Sequence, residues 1–274
     1  MPRRRSVLSA VLGVTGTALV GVGAATDTLA DSSKAISGSS ATAAQIEATE
    51  PAVEYVRNVE EVRGHFISAI TLLERGQRED AVFHADHGPD YFGAVLTPLR
   101  DEDPELATRL RARIKTVSER AQSASPSAFR QYVTGEVFPL LDQAVSTVVT
   151  DGVRGTTSFD VRVMNALAGR IADEYSAAIA EDGTIELEGE YWDGRGFLVR
   201  IEQRHENASG LNGAGTDALG QLRSGMEAIE LPAAVVGTTL QFRVETAAAA
   251  NLPSARVEGR DEALTYVRSV EEVK

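Results

Sequence analysis

The sequence predicts an all-α fold, a bundle of antiparallel helical hairpins, on three observations. Apolar residues recur at helical spacing through most of the chain beyond residue 46. Pairs of a capping residue and proline, the signature of a helix start, stand at Asp103-Pro104 and Ser125-Pro126. Strand-like alternation is confined to Thr184–Glu188.

The first long element, Glu47 to Arg75, places Tyr55, Val59, Val62, Phe66, Ile70 and Leu73 on one face. A short helix over Arg78–His87 is broken by Gly88-Pro89, and another over Tyr91–Arg100 has Asp90 as its cap. From Pro104 the stripe is Leu106, Leu110, Ile114, Val117 and Ala121. From Pro126 it is Phe129, Val133, Val137, Leu140, Ala144 and Val148, with a kink expected at Pro139. After a Gly- and Thr-rich break, Met164, Leu167, Ile171, Tyr175 and Ala178 define a helix closed by Asp182-Gly183. Leu187, Tyr191, Gly194, Leu198, Ile201 and His205 then recur at helical spacing. Gly189, Gly194 and Gly196 weaken that helix but permit close backbone approach. A polar loop over Ala208–Gly215 precedes helices expected at Thr216–Ile229 and Thr238–Ala250.

The stretch from Ala52 to Arg63, AVEYVRNVEEVR, recurs as ALTYVRSVEEVK from Ala263 to Lys274, with eight of twelve positions identical. This divides the chain into a helical domain over 47–257 and the start of a second copy over 258–274. The second copy reads either as the remnant of a tandem array or as a helix, 261–274, that self-associates by taking the first helix's place in another molecule.

Arg3, Arg4 and Arg5 precede a charge-free run from Val7 to Thr26. This is the outline of a twin-arginine export signal over residues 1–30, with a small-residue cleavage site at Thr28-Leu29-Ala30. The run is also long enough to remain as an N-terminal membrane anchor. Residues 31–46 form a Ser/Ala-rich linker. The expected address is extracellular or at the cell surface, where Asn207-Ala208-Ser209 makes Asn207 a glycosylation candidate.

Lys+Arg number 27 against 40 Asp+Glu, a net charge of −13 that argues against a nucleic-acid partner. Only Lys34, Lys115 and Lys274 among the basic residues are lysines, so 24 are arginines. The balance predicts adaptation to very high salt, where repulsion across an acidic surface is screened. The absence of cysteine excludes disulfides, thiolate nucleophiles, cysteine-bound zinc or iron–sulfur clusters and blue-copper chemistry in this chain. No Gly-x-Ser-x-Gly elbow is present. The partial dinucleotide-type pattern from Gly213 to Ala218 follows no strand and reads as a loop and helix cap.

Metal chemistry is the remaining candidate. His84 and His87 stand at i and i+3 and are the leading ligands, with Asp90, His65, Glu190 and Asp193 as partners across the bundle. Glu61 and His65, four apart, are expected on a polar flank of the first helix. Glu202 and His205 make one Glu-x-x-His pair, whereas ferritin-like di-iron sites need two.

The run from Ala85 to Phe92 (ADHGPDYF), with Leu99-Arg100 and the Asp103–Leu110 stretch, resembles the helical extracytoplasmic domain attached to high-affinity iron permeases. The segments Asp173–Ile179, Gly183–Ile185 and Glu190–Leu198 share that resemblance. Residues 47–274 as a whole are similar to a secreted haloarchaeal domain family of unknown function, some of whose members carry a blue-copper domain. The Arg-Glu-x-x-Glu motifs that carry transport in the permeases are absent here. The resemblance therefore implies an exported, non-catalytic helical domain that binds or presents iron or copper. It implies a membrane iron permease or a blue-copper protein as partner. The alternative is a structural or interaction module of a duplicated helical unit, with no metal.

Removal of residues 1–30 leaves a charge of −15. The melting temperature is expected to fall as KCl is lowered from molar concentration, and thermal melts across a KCl series check this. A melting temperature independent of salt refutes the halophilic reading.

Overall fold

The computed structural model describes residues 49–88 and 92–252. The expected export signal over 1–30, the expected linker over 31–46, Asp90 and the repeated stretch at 258–274 lie outside the described residues. Among the described residues eleven α-helices follow one another: α1 (Thr49–Glu74), α2 (Arg78–His87), α3 (Phe92–Glu102), α4 (Pro104–Ser123), α5 (Pro126–Tyr132), α6 (Phe138–Val148), α7 (Asp151–Arg154), α8 (Thr157–Ala178), α9 (Glu188–Asn207), α10 (Thr216–Ala228) and α11 (Pro232–Ala249). The fold is all-α. Among the described residues there is no strand, and no helix is long and apolar enough to cross a membrane. The alternating Thr184–Glu188 stretch contributes only a single antiparallel bridge, Ile179 with Ile185, which closes the turn before α9.

The start signals act as their chemistry requires. Asp103 accepts a hydrogen bond from the Leu106 amide at 2.9 Å, Ser125 from Ala128 at 3.3 Å and Thr156 from Phe159 at 3.2 Å, each satisfying an amide that the first turn leaves without an intrahelical partner. Three elements differ from expectation. Helix α8 ends at Ala178, capped by Ile179, and Asp182-Gly183 lies in the turn beyond it. Ahead of Pro139 the chain widens into a π-turn over Val133–Val137, so that Pro139 falls in the first turn of α6, where its missing N–H is tolerated. Helix α11 starts at Pro232 rather than Thr238, because that proline takes the first helical position.

Consecutive helices pack as pairs, α1 with α2, α3 with α4, α8 with α9 and α10 with α11. Helix α1 occupies the middle and touches α2, α3, α5, α6, α8 and α9. It is therefore buried on nearly all sides. Val56, Val59, Val62, Phe66, Ala69 and Leu72 are fully enclosed, but so are Glu60, Glu61 and His65.

The tightest approach is between α1 and α9. A Cβ on Gly196 would overlap the carbonyl oxygen of Gly64 and lie 2.5 Å from Ser68 Oγ; a Cβ on Gly64 would strike the Phe197 ring. The two backbones thus meet glycine to glycine, and Ser68 Oγ donates to the Trp192 carbonyl at 2.6 Å beside the contact. Gly196→Ala is expected to destabilise the protein by about 3 kcal/mol, the scale of overpacking a core that cannot relax. Gly169→Ala and Gly220→Ala, helical sites whose added Cβ meets nothing within 4 Å, are expected to stabilise by about 0.5–1 kcal/mol. Urea unfolding of the three variants checks the contrast.

Candidate metal centre

The glycine contact delivers the chemistry. His65 follows Gly64 directly on α1, and Asp193 lies nearly one turn before Gly196 on α9, so the close approach draws both into the seam. His84 enters from the last turn of α2, which packs on α1 and touches α9. All three side chains are buried. His84 Nδ1 is 2.8 Å from Asp193 Oδ1, and His65 Nδ1 is 2.7 Å from the same oxygen. Phe197 meets the His65 ring edge-on at 5.6 Å, and Phe83 the His84 ring at 5.4 Å, fixing both imidazole planes. One donor atom from each of the three residues lies within 4.8 Å of the others.

Burial by itself would raise the Asp193 carboxyl. Hydrogen bonds from His65 and His84, with their electrostatic attraction, outweigh it and hold the group down at about 2. Around this anion lie further carboxylates. Glu61, one turn before His65, is enclosed with Arg57 at 3.4 Å and Arg170 at 3.5 Å; burial pushes it up, against the pull of both arginines and of His65. Glu174 on α8 ion-pairs with Arg170 and shares a hydrogen bond with Glu190 of α9. Burial, followed by that hydrogen bond and the charges of Glu190 and Asp193, raises Glu174 to about 8 despite Arg170.

The structure thus brings together His65, His84 and Asp193, with Glu190 at the edge of the group through Glu174. His87 is not part of it. Its ring lies 3.8 Å from that of Phe83 on the outer side of α2, and its Nδ1–H donates to the Phe83 carbonyl at 2.9 Å. His205 Nε2–H donates to the Ala214 carbonyl at 2.7 Å, and Glu202 pairs with Arg223, so the Glu-x-x-His pair takes no part either. Asn207 is exposed at the end of α9 and donates to the Gln203 carbonyl at 2.6 Å. Gly215 caps α10 with φ 83°, as a loop.

The expected polar flank of α1 does not exist, because neighbouring helices cover that face; Glu61 and His65 are each about 1 % exposed. A signal for this was present in the repeat. Of its eight matched positions, Ala52, Tyr55, Val56, Val59, Glu60, Glu61 and Val62 are all buried, and only Arg57 is half-buried. Glu174 falls between Ile171 and Tyr175 on the inward stripe of α8, a position that helical periodicity marks as internal. Comparison with protein-family models, curated proteins and solved structures finds no match to the chain.

Glu174 ionises near 4.5 when unfolded and near 8 when folded, so between those values the folded state holds the extra proton. Its contribution is complete below the lower value and lost as pH rises through the upper one. The metal-free melting temperature is expected to decline from about pH 5 to about pH 9, and Glu174→Gln, which keeps a hydrogen-bonding amide without the charge, to flatten the decline. Parallel slopes for the two proteins would assign the pH dependence to other groups.

Proposed function

We propose that this is an exported, non-catalytic helical domain that holds a transition-metal ion, iron ahead of copper, between His65, His84 and Asp193. The observation that carries the reading is the enclosed trio itself: two imidazole nitrogens and one carboxylate oxygen, from three different helices, gathered within 4.8 Å. Imidazole and carboxylate suit iron(II) well, whereas the soft copper(I) ion prefers the thiolate that this chain lacks. The ionised Asp193, with Glu174 and Glu190 close by as carboxyls that a cation would help to ionise, favours a cation there. Three ligands, each less than a tenth exposed, suit retention of an ion more than turnover of a substrate. The ion would take the place of the protons now shared between the imidazoles and Asp193, so affinity rises with pH. The charge-free N-terminal run and the permease-like segments support a cell-surface setting, with an iron permease or blue-copper protein as the recipient.

Anaerobic titration of the purified metal-free protein with iron(II), followed calorimetrically, is expected to reach one ion per chain. The His65→Gln/His84→Gln pair is expected to abolish that binding. Asp193→Asn should weaken it by about 10- to 100-fold, and His87→Ala should leave it unchanged. Circular dichroism of each variant separates ligand loss from unfolding. Equal binding by the double variant, or binding no stronger than that of an exposed acidic surface, overturns the reading.

A further inference from the structure

A second polar layer crosses the same α1–α9 seam, about two turns beyond Asp193 on α9. Its centre is Glu60, 1 % exposed and met by three guanidinium groups: Arg200 Nε at 2.5 Å, Arg204 at 3.0 Å and Arg63 at 3.4 Å. Three cations around one enclosed anion leave two positive charges unanswered inside. They are answered at the rim, where Arg63 reaches Asp142 of α6 at 2.5 Å and Arg204 reaches Asp160 of α8 at 2.6 Å. These aspartates are not equivalent to Glu60. The Asp142 side chain is 71 % exposed and can turn into water at little loss, whereas that of Asp160 is 29 % exposed and only partly hydrated.

Between these groups lies a cleft of about 440 Å³, within the size range of small-ligand sites. Phe138 forms an apolar wall, with the Arg63 guanidinium 5.7 Å above its ring. Arg200 is turned toward the cleft by Gln203, to which it donates. The Nε–H groups of Arg63 and Arg204 are buried without a hydrogen bond, so the layer has donors beyond those its own carboxylates use.

We propose that this cleft binds a small dicarboxylate, whose two carboxylate groups replace Asp142 on Arg63 and Asp160 on Arg204. The two aspartates mark where carboxylates sit against those guanidinium forks, and planar, paired acceptors are what arginine matches best. A ligand with both carboxylates on one short frame binds as a unit, whereas Asp142 and Asp160 arrive from separate helices and are already largely or partly hydrated. The site stands independently of the metal reading, since none of its residues belongs to the His65–His84–Asp193 group.

The test is calorimetric titration of the metal-free full chain, in KCl held constant, with succinate and tricarballylate, against acetate and inorganic phosphate. Succinate or tricarballylate is expected to bind at least about tenfold more tightly than acetate. Arg204→Gln is expected to weaken that binding by about tenfold or more. Asp142→Asn, whose folding is checked by circular dichroism, removes a competing carboxylate and is expected to tighten it by about three- to tenfold. Absence of dicarboxylate binding, or an affinity indifferent to Asp142→Asn, overturns the proposal and leaves the layer as a structural ion-pair clamp. Phosphate binding as tightly as succinate overturns it too, because the cleft would then read charge and not paired carboxylates.

Discussion

The close contact of Gly64 with Gly196 sets the geometry on which everything else in this domain depends. Two helices with side chains at that point would stand a few ångströms further apart, as ordinary helix packing does. Here the Gly64 carbonyl and the Gly196 backbone meet directly, and Ser68 ties the contact to the Trp192 carbonyl. The consequence is local and chemical. Side chains flanking the contact are pressed toward the partner helix, so His65 and Asp193 come within 2.7 Å, and α2 needs to supply only His84 to complete the group. The same approach continues along the seam to Glu60 and Arg200, which is why one pair of helices carries both polar layers.

Stability alone does not account for polar layers of this kind. A buried ion pair recovers in Coulomb attraction roughly what it loses in desolvation, and well-packed apolar residues of equal volume are often as stable or more so. Removing one partner, by contrast, leaves a buried charge exposed to that penalty. The Glu60 cluster shows the balance: burial would raise its carboxyl, yet Arg63, Arg200 and Arg204 hold it down at about 2. In the neighbouring layer the balance fails at Glu174, which keeps its proton to about pH 8 because burial, the hydrogen bond with Glu190 and the charges of Glu190 and Asp193 outweigh the pull of Arg170. The two layers therefore differ in kind. One is a satisfied charge network opening on a cleft, and the other holds more carboxylates than its own cations balance.

What the sequence makes legible follows from what each signal measures. Capping residues and N-terminal prolines act within a single turn, so Asp103-Pro104 and Ser125-Pro126 could be read without any knowledge of neighbours. Apolar periodicity measures one-sided burial, and it serves well for α4, whose outward face is solvated. It misleads for α1, where a helix enclosed on all sides buries Glu60, Glu61 and His65 along with its valines. The pairing of His84 with His87 rests on helical spacing alone. Three residues subtend about 300° around a helix axis, and in a ten-residue helix lying on the bundle surface that offset is enough to send one ring into the seam and the other onto Phe83. Glu190 and Asp193 could be seen as a pair; that Asp193 meets two histidines while Glu190 turns to Glu174 is decided by α8, which no local pattern reports.

The excess of carboxylates links the protonation of the seam to the ion proposed for it. Glu174 interacts with Glu190 and Asp193, and Arg170 links it to Glu61, which also pairs with Arg57. Without a metal, the cluster limits its own repulsion by keeping a proton on Glu174, which is the cheapest neutralisation open to a buried carboxylate pair. A divalent ion beside Asp193 would change the potential at that pair and make the proton unnecessary. For the ion proposed there, ion and proton would then be alternative occupants of one electrostatic deficit, and pH would set the preference between them. On the proposed metal reading, such a domain would hold an ion more firmly at neutral pH than on acidification, because protons compete for the same ligands.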